Sequence, residues 1–122
     1  MNNQILIVHP DGAFIEALKS RLDDIGFQAY GVSRGSQIFP LLSRTQPGAI
    51  LLDVELTSPS WEEIIKRLRQ SESYRKIIFV LMVRNKNVAL EHQAKLYRVK
   101  AVIKKPIVFR QIVAVLKALI ED

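Results

Sequence analysis

The stretch AILLDVEL, residues 49–56, decides the fold of this chain. Its first four residues, 49–52, are all apolar, and they run directly into a carboxylate, Asp53. A strand this apolar is normally buried on both faces, as in a parallel sheet covered by helices. An acid at the end of such a strand needs a charged partner or a place in a site, because an uncompensated charge near the core is costly.

Five apolar runs, including this one, are spaced along the chain. They are short and mostly rich in Ile and Val, which predicts β-strands at residues 5–8, 27–32, 49–52, 77–83 and 101–103. Segments with helical periodicity lie between them. This alternation predicts an α/β domain with a parallel sheet, right-handed crossovers and helices on both faces.

The helical segments carry apolar stripes of unequal clarity. The stripes comprise Phe14, Leu18, Leu22 and Ile25 in the first helix, Ile64, Ile65 and Leu68 in the third, and Ile112, Val113, Leu116, Leu119 and Ile120 in the last. Ser60 and Glu63 form a capping box that predicts the start of the third helix, with Trp61 packed beside it. Pro40 predicts a bent or shortened second helix within residues 36–44. The fourth helix, about residues 87–97, has the weakest stripe.

Length and composition limit the classes of function. The 122 residues suit one core, and we expect residues 1–122 to form a single domain. The absence of cysteine excludes disulfides and thiolate metal sites. The first ten residues lack the charged start and the long apolar run of a signal peptide, and no stretch approaches the roughly 18 apolar residues of a membrane span. We therefore expect a cytoplasmic protein with no membrane contact.

The net charge of +6 is unevenly spread along the chain. Residues 66–105 hold 12 basic and 2 acidic residues, whereas the rest of the chain holds 6 basic and 10 acidic residues. Such a segment either forms a solvated surface or marks an anionic partner. A basic nucleic-acid-binding module is therefore one alternative function. Aromatic residues do not alternate with the basic ones and no helix-turn-helix pattern is present, which disfavours nucleic acid as a partner.

Polar residues follow four of the five predicted strands. In a parallel sheet of this kind, ligands bind beyond the carboxyl ends of the strands. The residues at those ends are His9, Pro10 and Asp11 after the first strand, Asp53 after the third, Arg84 after the fourth, and Lys104, Lys105 and Pro106 after the fifth. We expect these residues to meet at one rim, where the cations of Lys105 and Arg84 would both contact the carboxylate of Asp53.

Four short motifs carry a family resemblance. ILIV at residues 5–8, ILLD at 50–53, VLMV at 80–83 and IKKP at 103–106 come in the order found in receiver domains of bacterial response regulators. The chain resembles this CheY-like superfamily over essentially its whole length. The resemblance implies a flavodoxin-like (βα)5 three-layer sandwich with a sheet of order 2-1-3-4-5. It also implies that Asp53 stands at the phosphoacceptor position of a two-component phosphorelay, and that Lys105 pairs with the phosphoryl group.

The sequence departs from the family pattern at the expected metal site. His9 and Pro10 stand where the family has an acidic pair that helps to bind Mg²⁺, and Asp11 comes one place late. Imidazole suits softer metals than Mg²⁺, which prefers oxygen ligands in octahedral geometry. We therefore expect weak Mg²⁺ binding at most, with Asp53, Asp11 and the backbone carbonyl of Glu55 as its ligands. The alternatives are that Asp11 caps the first helix and that His9 is a polar residue of the rim.

The switch positions depart from the pattern as well. Arg84 replaces the usual Ser or Thr after the fourth strand, Val102 replaces an aromatic residue in the fifth, and Thr57 replaces a proline. Phosphoryl transfer depends on positioned cations that neutralise developing charge. The pattern therefore indicates a degenerate receiver, or pseudo-receiver, in which Asp53 and Lys105 are kept without the metal site.

The function expected from these residues is signalling without enzymatic turnover. We expect a protein-interaction module that binds a histidine kinase or a downstream effector through the face formed by the fourth helix, the fifth strand and the fifth helix, as the resemblance implies. A receiver that is phosphorylated at Asp53 despite an atypical metal site is the alternative within the same class.

Overall fold

The computed structural model describes residues 2–120, and its centre is a five-stranded parallel sheet of order β2-β1-β3-β4-β5. The strands are β1 (Gln4–Val8), β2 (Gln28–Val32), β3 (Ala49–Asp53), β4 (Ile78–Val83) and β5 (Ala101–Lys104). The helices are α1 (Gly12–Asp24), α2 (Ile38–Leu42), α3 (Trp61–Arg69), α4 (Val88–Leu96) and α5 (Phe109–Ile120), and a 3₁₀ turn (Gly35–Gln37) precedes α2. The predicted flavodoxin-like α/β fold and its strand order are confirmed.

Strand β3 lies at the centre of the sheet, between β1 and β4. All five of its residues are buried, as the apolar run at residues 49–52 predicts. Successive side chains of a strand point to opposite faces, so Ile50 and Leu52 enter one apolar core while Ala49 and Leu51 enter the other. The strand therefore has no solvated face, and only its carboxyl end can present a polar group.

The helices cover both faces of the sheet. Helices α1 and α5 bury Leu18, Leu22, Ile112 and Leu116 against one face. Helices α2, α3 and α4 pack against the other face, where α3 contributes the buried stripe of Ile64, Ile65 and Leu68. Among residues 2–120, no helix is both long enough and apolar enough to cross a membrane.

The predicted stripe of α1 was wrong at its end. The helix ends at Asp24, and Ile25 lies beyond it with 44% of its surface exposed. The following residue, Gly26, adopts a φ of +98°, a conformation open mainly to glycine that turns the chain away from the helical path. Ile15, which the predicted stripe omitted, is buried together with Leu18 and Leu22, while Phe14 is only partly buried.

The other helix predictions agree with the structure. Ser60 Oγ accepts from the Glu63 amide at 3.3 Å, and the Glu63 carboxylate accepts from the Ser60 amide at 3.4 Å, so the capping box forms. Trp61 is buried and meets the ring of Tyr97 edge to face at a centroid distance of 5.5 Å. Helix α2 has only five residues and holds Pro40 in its first turn, where the missing amide costs no helical hydrogen bond.

Candidate functional site

The carboxylate of Asp53 is fully buried at the carboxyl end of β3. Its Oδ1 accepts a hydrogen bond from the Glu55 amide at 2.8 Å. Its Oδ2 lies 2.6 Å from Nζ of Lys105 and 3.2 Å from Nε2 of His9. The rim predicted from the strand ends therefore exists, and Asp53 is at its centre with one cation and one imidazole beside it.

The Oδ2 atom of Asp53 is held by charge more than by directed hydrogen bonds. Neither the ammonium of Lys105 nor the imidazole of His9 reaches it with hydrogen-bond angles, and among residues 2–120 this buried oxygen has no hydrogen-bond partner. A buried carboxylate without any compensation would be strongly destabilising. The ammonium of Lys105 at 2.6 Å and the Glu55 amide on Oδ1 therefore compensate the charge of Asp53.

Lys105 is fixed at the site by its own backbone and by two acids. Its amide donates to the carbonyl of Val83 at 2.7 Å, which continues the pairing of β5 with β4. Its Nζ bridges Asp53 and Glu55, lying 3.0 Å from Oε2 of Glu55. Burial acts to lower the pKa of Lys105, but the attraction of the Asp53 carboxylate, together with the hydrogen bond to Glu55 and its charge, outweighs burial and raises the pKa above its ordinary value. The lysine is therefore a charged member of the site at neutral pH.

The expected contact between Arg84 and Asp53 was wrong. Arg84 Nη2 lies 3.1 Å from Oε1 of Glu55, and 72% of the arginine side chain is exposed. Glu55 follows Asp53 by two residues, and its carboxylate pairs with both Arg84 and Lys105. The hydrogen bond from Lys105, and then the charges of Lys105 and Arg84, lower the pKa of Glu55. Glu55 thus acts through its side chain, as the acid that joins the two cations.

His9 is a member of the site and not merely a polar residue of the rim. Only 12% of its side chain is exposed, and its ring stacks on Phe14 with centroids 4.1 Å apart. Nδ1 accepts from the Asp11 amide at 3.0 Å, so in the neutral ring the proton is on Nε2, which faces Asp53. Burial lowers the pKa of His9 despite the opposing attraction of Asp53. The imidazole at neutral pH is therefore uncharged and presents an N–H to the carboxylate.

The side chains around Asp53 include few of the oxygen ligands that Mg²⁺ prefers. Pro10 offers no side-chain ligand, and Asp11 caps α1, where its Oδ1 accepts from the Ala13 amide at 2.9 Å. Among residues 2–120, no three His, Asp or Glu side chains come together as a metal site, and the side chain of Asp11, one of the predicted ligands, is engaged at the start of α1. The neighbours of Asp53 Oδ2 are two nitrogens, whereas Mg²⁺ requires oxygen ligands.

The sequence and the fold both match a known family. A family model described as the response regulator receiver domain matches residues 5–117. The chain belongs to this family. Receiver domains are signalling modules of two-component systems, they generally lack enzymatic turnover, and as a class they bind Mg²⁺ and interact with histidine kinases and effectors. No curated protein matches the sequence significantly.

Solved structures of other receivers share the fold. The signal receiver domain of a signal transduction histidine kinase from Syntrophus aciditrophicus is 24% identical, with a TM-score of 0.85, over 98% of this chain and 90% of that one. The chemotaxis protein CheY4 of Vibrio cholerae is 14% identical, with a TM-score of 0.89, over 98% and 100%. The Mn²⁺-bound form of the response regulator Rcp1 is 17% identical, with a TM-score of 0.81, over 98% and 95%. At these identities the likeness concerns the fold alone.

Arg84 and Val102, the residues predicted at the switch positions, form no ion pair with Asp53. Arg84 follows β4 and faces solvent beside Glu55. Val102 is partly buried in β5, where it pairs in register with Leu81 and packs against the core under α2–α4. The site residue that sequence reasoning underestimated is His9. Phe14, which follows it by five residues, was the available signal, since an aromatic ring near the start of α1 can hold the imidazole over the sheet.

Proposed function

We propose that this chain acts as a single degenerate receiver domain over residues 1–122, a cytoplasmic protein-interaction module of a two-component system without enzymatic turnover. Asp53 occupies its phosphoacceptor position and Lys105 its phosphoryl-pairing position. The domain signals in a form that does not depend on phosphorylation of Asp53. The main support for this proposal is that Oδ2 of Asp53 already lies 2.6 Å from Nζ of Lys105 and 3.2 Å from Nε2 of His9.

The surroundings of Asp53 support this proposal by what they offer a phosphoryl group. Transfer to a carboxylate requires positioned cations that neutralise the charge on the equatorial oxygens. Lys105 supplies one cation, but Arg84 is engaged with Glu55, and neutral His9 carries no charge to contribute. An incoming phosphoryl group would also have to reach a carboxylate with no exposed surface and replace the contacts of Oδ2. Both requirements favour an unmodified Asp53.

The alternative, a receiver phosphorylated at Asp53 through an atypical metal site, has one observation in its favour. The Oδ2 atom of Asp53 has no directed hydrogen bond among residues 2–120, so it keeps a lone pair for a new bond. Lys105 is 21% exposed at the rim, so its ammonium group could also contact a phosphoryl oxygen. Under this alternative, His9 would move aside when the donor and a divalent ion bind.

Partner binding is proposed for the face of α4, β5 and α5. Three large apolar side chains on or next to its helices are exposed: Val88 by 83%, Leu96 by 63% and Val108 by 55%. Apolar side chains that a partner can bury inside a polar rim are typical of protein contact surfaces. The partner proposed for this face is a histidine kinase or a downstream effector domain.

The test is chemical modification of Asp53. The protein is incubated with acetyl phosphate and Mg²⁺, and its intact mass is measured together with that of the Asp53→Asn variant. We expect no phosphoryl adduct on the parent protein. An adduct on the parent that is absent from the variant would establish the phosphorylatable alternative instead.

A further inference from the structure

A cationic cleft lies at the C-terminal ends of α3 and α4, near the amino ends of β4 and β5 and away from Asp53. Its volume is about 440 Å³. Seven residues line it: Lys66, Arg69, Gln70, Arg75, Leu96, Tyr97 and Arg98. Four of the seven are cations and none is an acid. Helix α3, the loop after it and the end of α4 all contribute cations, so the charge is assembled by the fold from separate segments.

The cations of the cleft lack acidic partners. Among residues 2–120, no Asp or Glu forms an ion pair with Lys66, Arg75 or Arg98. The ion pairs of this part of the chain are formed by basic residues outside the cleft. Arg69 donates to the backbone carbonyls of Arg75, Ile77 and Arg98. The nearby positive charge of Arg98 adds to burial in lowering the pKa of Arg69. Like charges are therefore crowded here without acidic side chains to pair with them.

Helix ends alone do not account for this crowding. Basic residues in the last turn of a helix interact favourably with its carbonyl end, which explains Lys66. Arg69, however, donates to carbonyls outside the two helices, those of Ile77 and Arg98, and its buried Nε has no partner among residues 2–120. Arg75 belongs to the loop after α3 and adds charge beyond what a helix end requires.

Arg98 occupies a backbone position that glycine or asparagine would adopt at lower cost. Its φ is +59°, in the left-handed region, just after the end of α4. Glycine is the usual residue at such a helix end because it has no Cβ, and asparagine is the next most tolerant. The structure thus places a bulky cation at a strained position beside a cleft that already holds three others. Strain of this kind points to a role for the side chain.

We propose that this cleft is a binding site for a small, multiply charged phosphate compound, such as a diphosphate or triphosphate group. Guanidinium forks bind phosphate oxygens in pairs, and the ammonium of Lys66 adds a mobile point charge. The cleft volume lies in the range of small-molecule sites, about 300–1,000 Å³. Its seven lining residues are few compared with the roughly 20–30 that a protein partner usually covers.

Tripolyphosphate is the probe that tests the proposal. Isotope-labelled protein is titrated at low ionic strength while backbone amide shifts are recorded. We expect saturable shifts at Gln70, Tyr97 and Arg98, and binding about tenfold tighter than that of sulfate, because each further negative charge meets a cation. ATP is titrated in parallel. Tighter binding of ATP would identify a nucleotide, whose base would contact Tyr97 or Leu96, whereas equal affinity would identify a free phosphate chain; either result supports the site.

Substitution of Arg98 separates binding from folding. Arg98→Gly removes the cation but relieves the left-handed backbone, so its melting temperature should equal or exceed that of the parent protein. Its affinity for tripolyphosphate should fall about tenfold, the loss expected for a charge-assisted hydrogen bond. Arg75→Gln should weaken binding similarly, and Arg98→Lys should keep part of the affinity. Arg110→Gln removes an equal charge from α5 and should change the affinity by less than about twofold.

Three results would overturn the proposal. The first is the absence of saturable shifts at the cleft with tripolyphosphate. The second is an equal loss of affinity in Arg98→Gly and Arg110→Gln, which would mean that only net charge matters. The third is binding of an acidic peptide or duplex DNA to a protein that ignores tripolyphosphate, which would assign the cleft to a macromolecule.

Discussion

The ammonium nitrogen of Lys105 lies 2.6 Å from Oδ2 of Asp53, whose side chain has no exposed surface. This pair joins the carboxyl end of β3 to the residue that follows β5, across the intervening strand β4. Glu55 forms a second ion pair with Lys105, and the imidazole of His9 lies beside the carboxylate of Asp53. The buried charge of the receiver site is thus balanced by groups of the chain itself.

Removal of the lysine charge should destabilise the domain. Lys105→Met leaves Asp53 buried with only a neutral imidazole beside it, so we expect the free energy of unfolding to fall by about 2 kcal/mol or more. Partial exposure of the lysine keeps the loss below that of a fully buried pair. Lys104→Met is the matched control, since Lys104 is exposed and forms no ion pair among residues 2–120; its effect should stay within about 0.5 kcal/mol. Urea unfolding measures both, and equal losses would contradict the pairing.

The stability of the domain should fall in mild acid because of His9. Burial lowers the pKa of His9 in the folded state below its ordinary value of 6.5. In mild acid, the unfolded chain therefore binds a proton at His9 more readily than the folded protein does. The stabilising contribution is complete above pH 6.5 and is lost as the pH falls through the lower, folded-state pKa. Urea midpoints measured from pH 7.5 downwards should therefore decline, and His9→Gln should reduce the decline. His92→Gln, at an exposed position of α4, should leave it unchanged; equal curves for parent protein and His9→Gln would refute the prediction.

Mg²⁺ should bind weakly to the parent protein and better after two substitutions. His9→Asp combined with Pro10→Asp introduces oxygen ligands next to Asp53 and removes the imidazole, which suits Mg²⁺ poorly. Amide shifts near Asp53 during a Mg²⁺ titration measure the affinity. Asp11→Asn should have no effect on it, because asparagine also caps helices and Asp11 serves α1. Saturable sub-millimolar binding to the parent protein would show that the nitrogen neighbours do not exclude the ion.

A methyl group at Gly31 should destabilise the packing of β2 against α1. A Cβ at this position would clash with Cγ2 of Ile15, whose side chain is buried and cannot move away freely. Overpacking of this kind costs about 1–3 kcal/mol, so Gly31→Ala should unfold at lower urea concentration. Gly12→Ala is the matched control, because no atom lies within 4 Å of its added Cβ and the residue starts α1. Its stability should be unchanged or slightly higher, and similar behaviour of the two variants would contradict this close contact.

The sequence alone determined the elements of the fold and the place of the site. The short, unbroken apolar run at residues 49–52 sufficed to predict a strand buried on both faces. The parallel sheet that follows from alternating strands and helices brings the carboxyl ends of its strands together. Asp53 and Lys105 could therefore be placed at one rim without any knowledge of side-chain positions, and the structure brings them into contact.

Which other side chains surround Asp53 depends on tertiary contacts. Arg84 and His9 both follow strands at the rim, yet the arginine turns to Glu55 while the imidazole faces the buried carboxylate. The direction of each depends on loop backbone beyond the strand ends and on neighbours such as Phe14, which are brought close by folding and not by spacing in sequence. Hydrophobic periodicity records which residues enter the core. Hydrophobic periodicity does not show how polar side chains pair in the loops beyond the strands. That pairing determines how the charge of Asp53 is balanced.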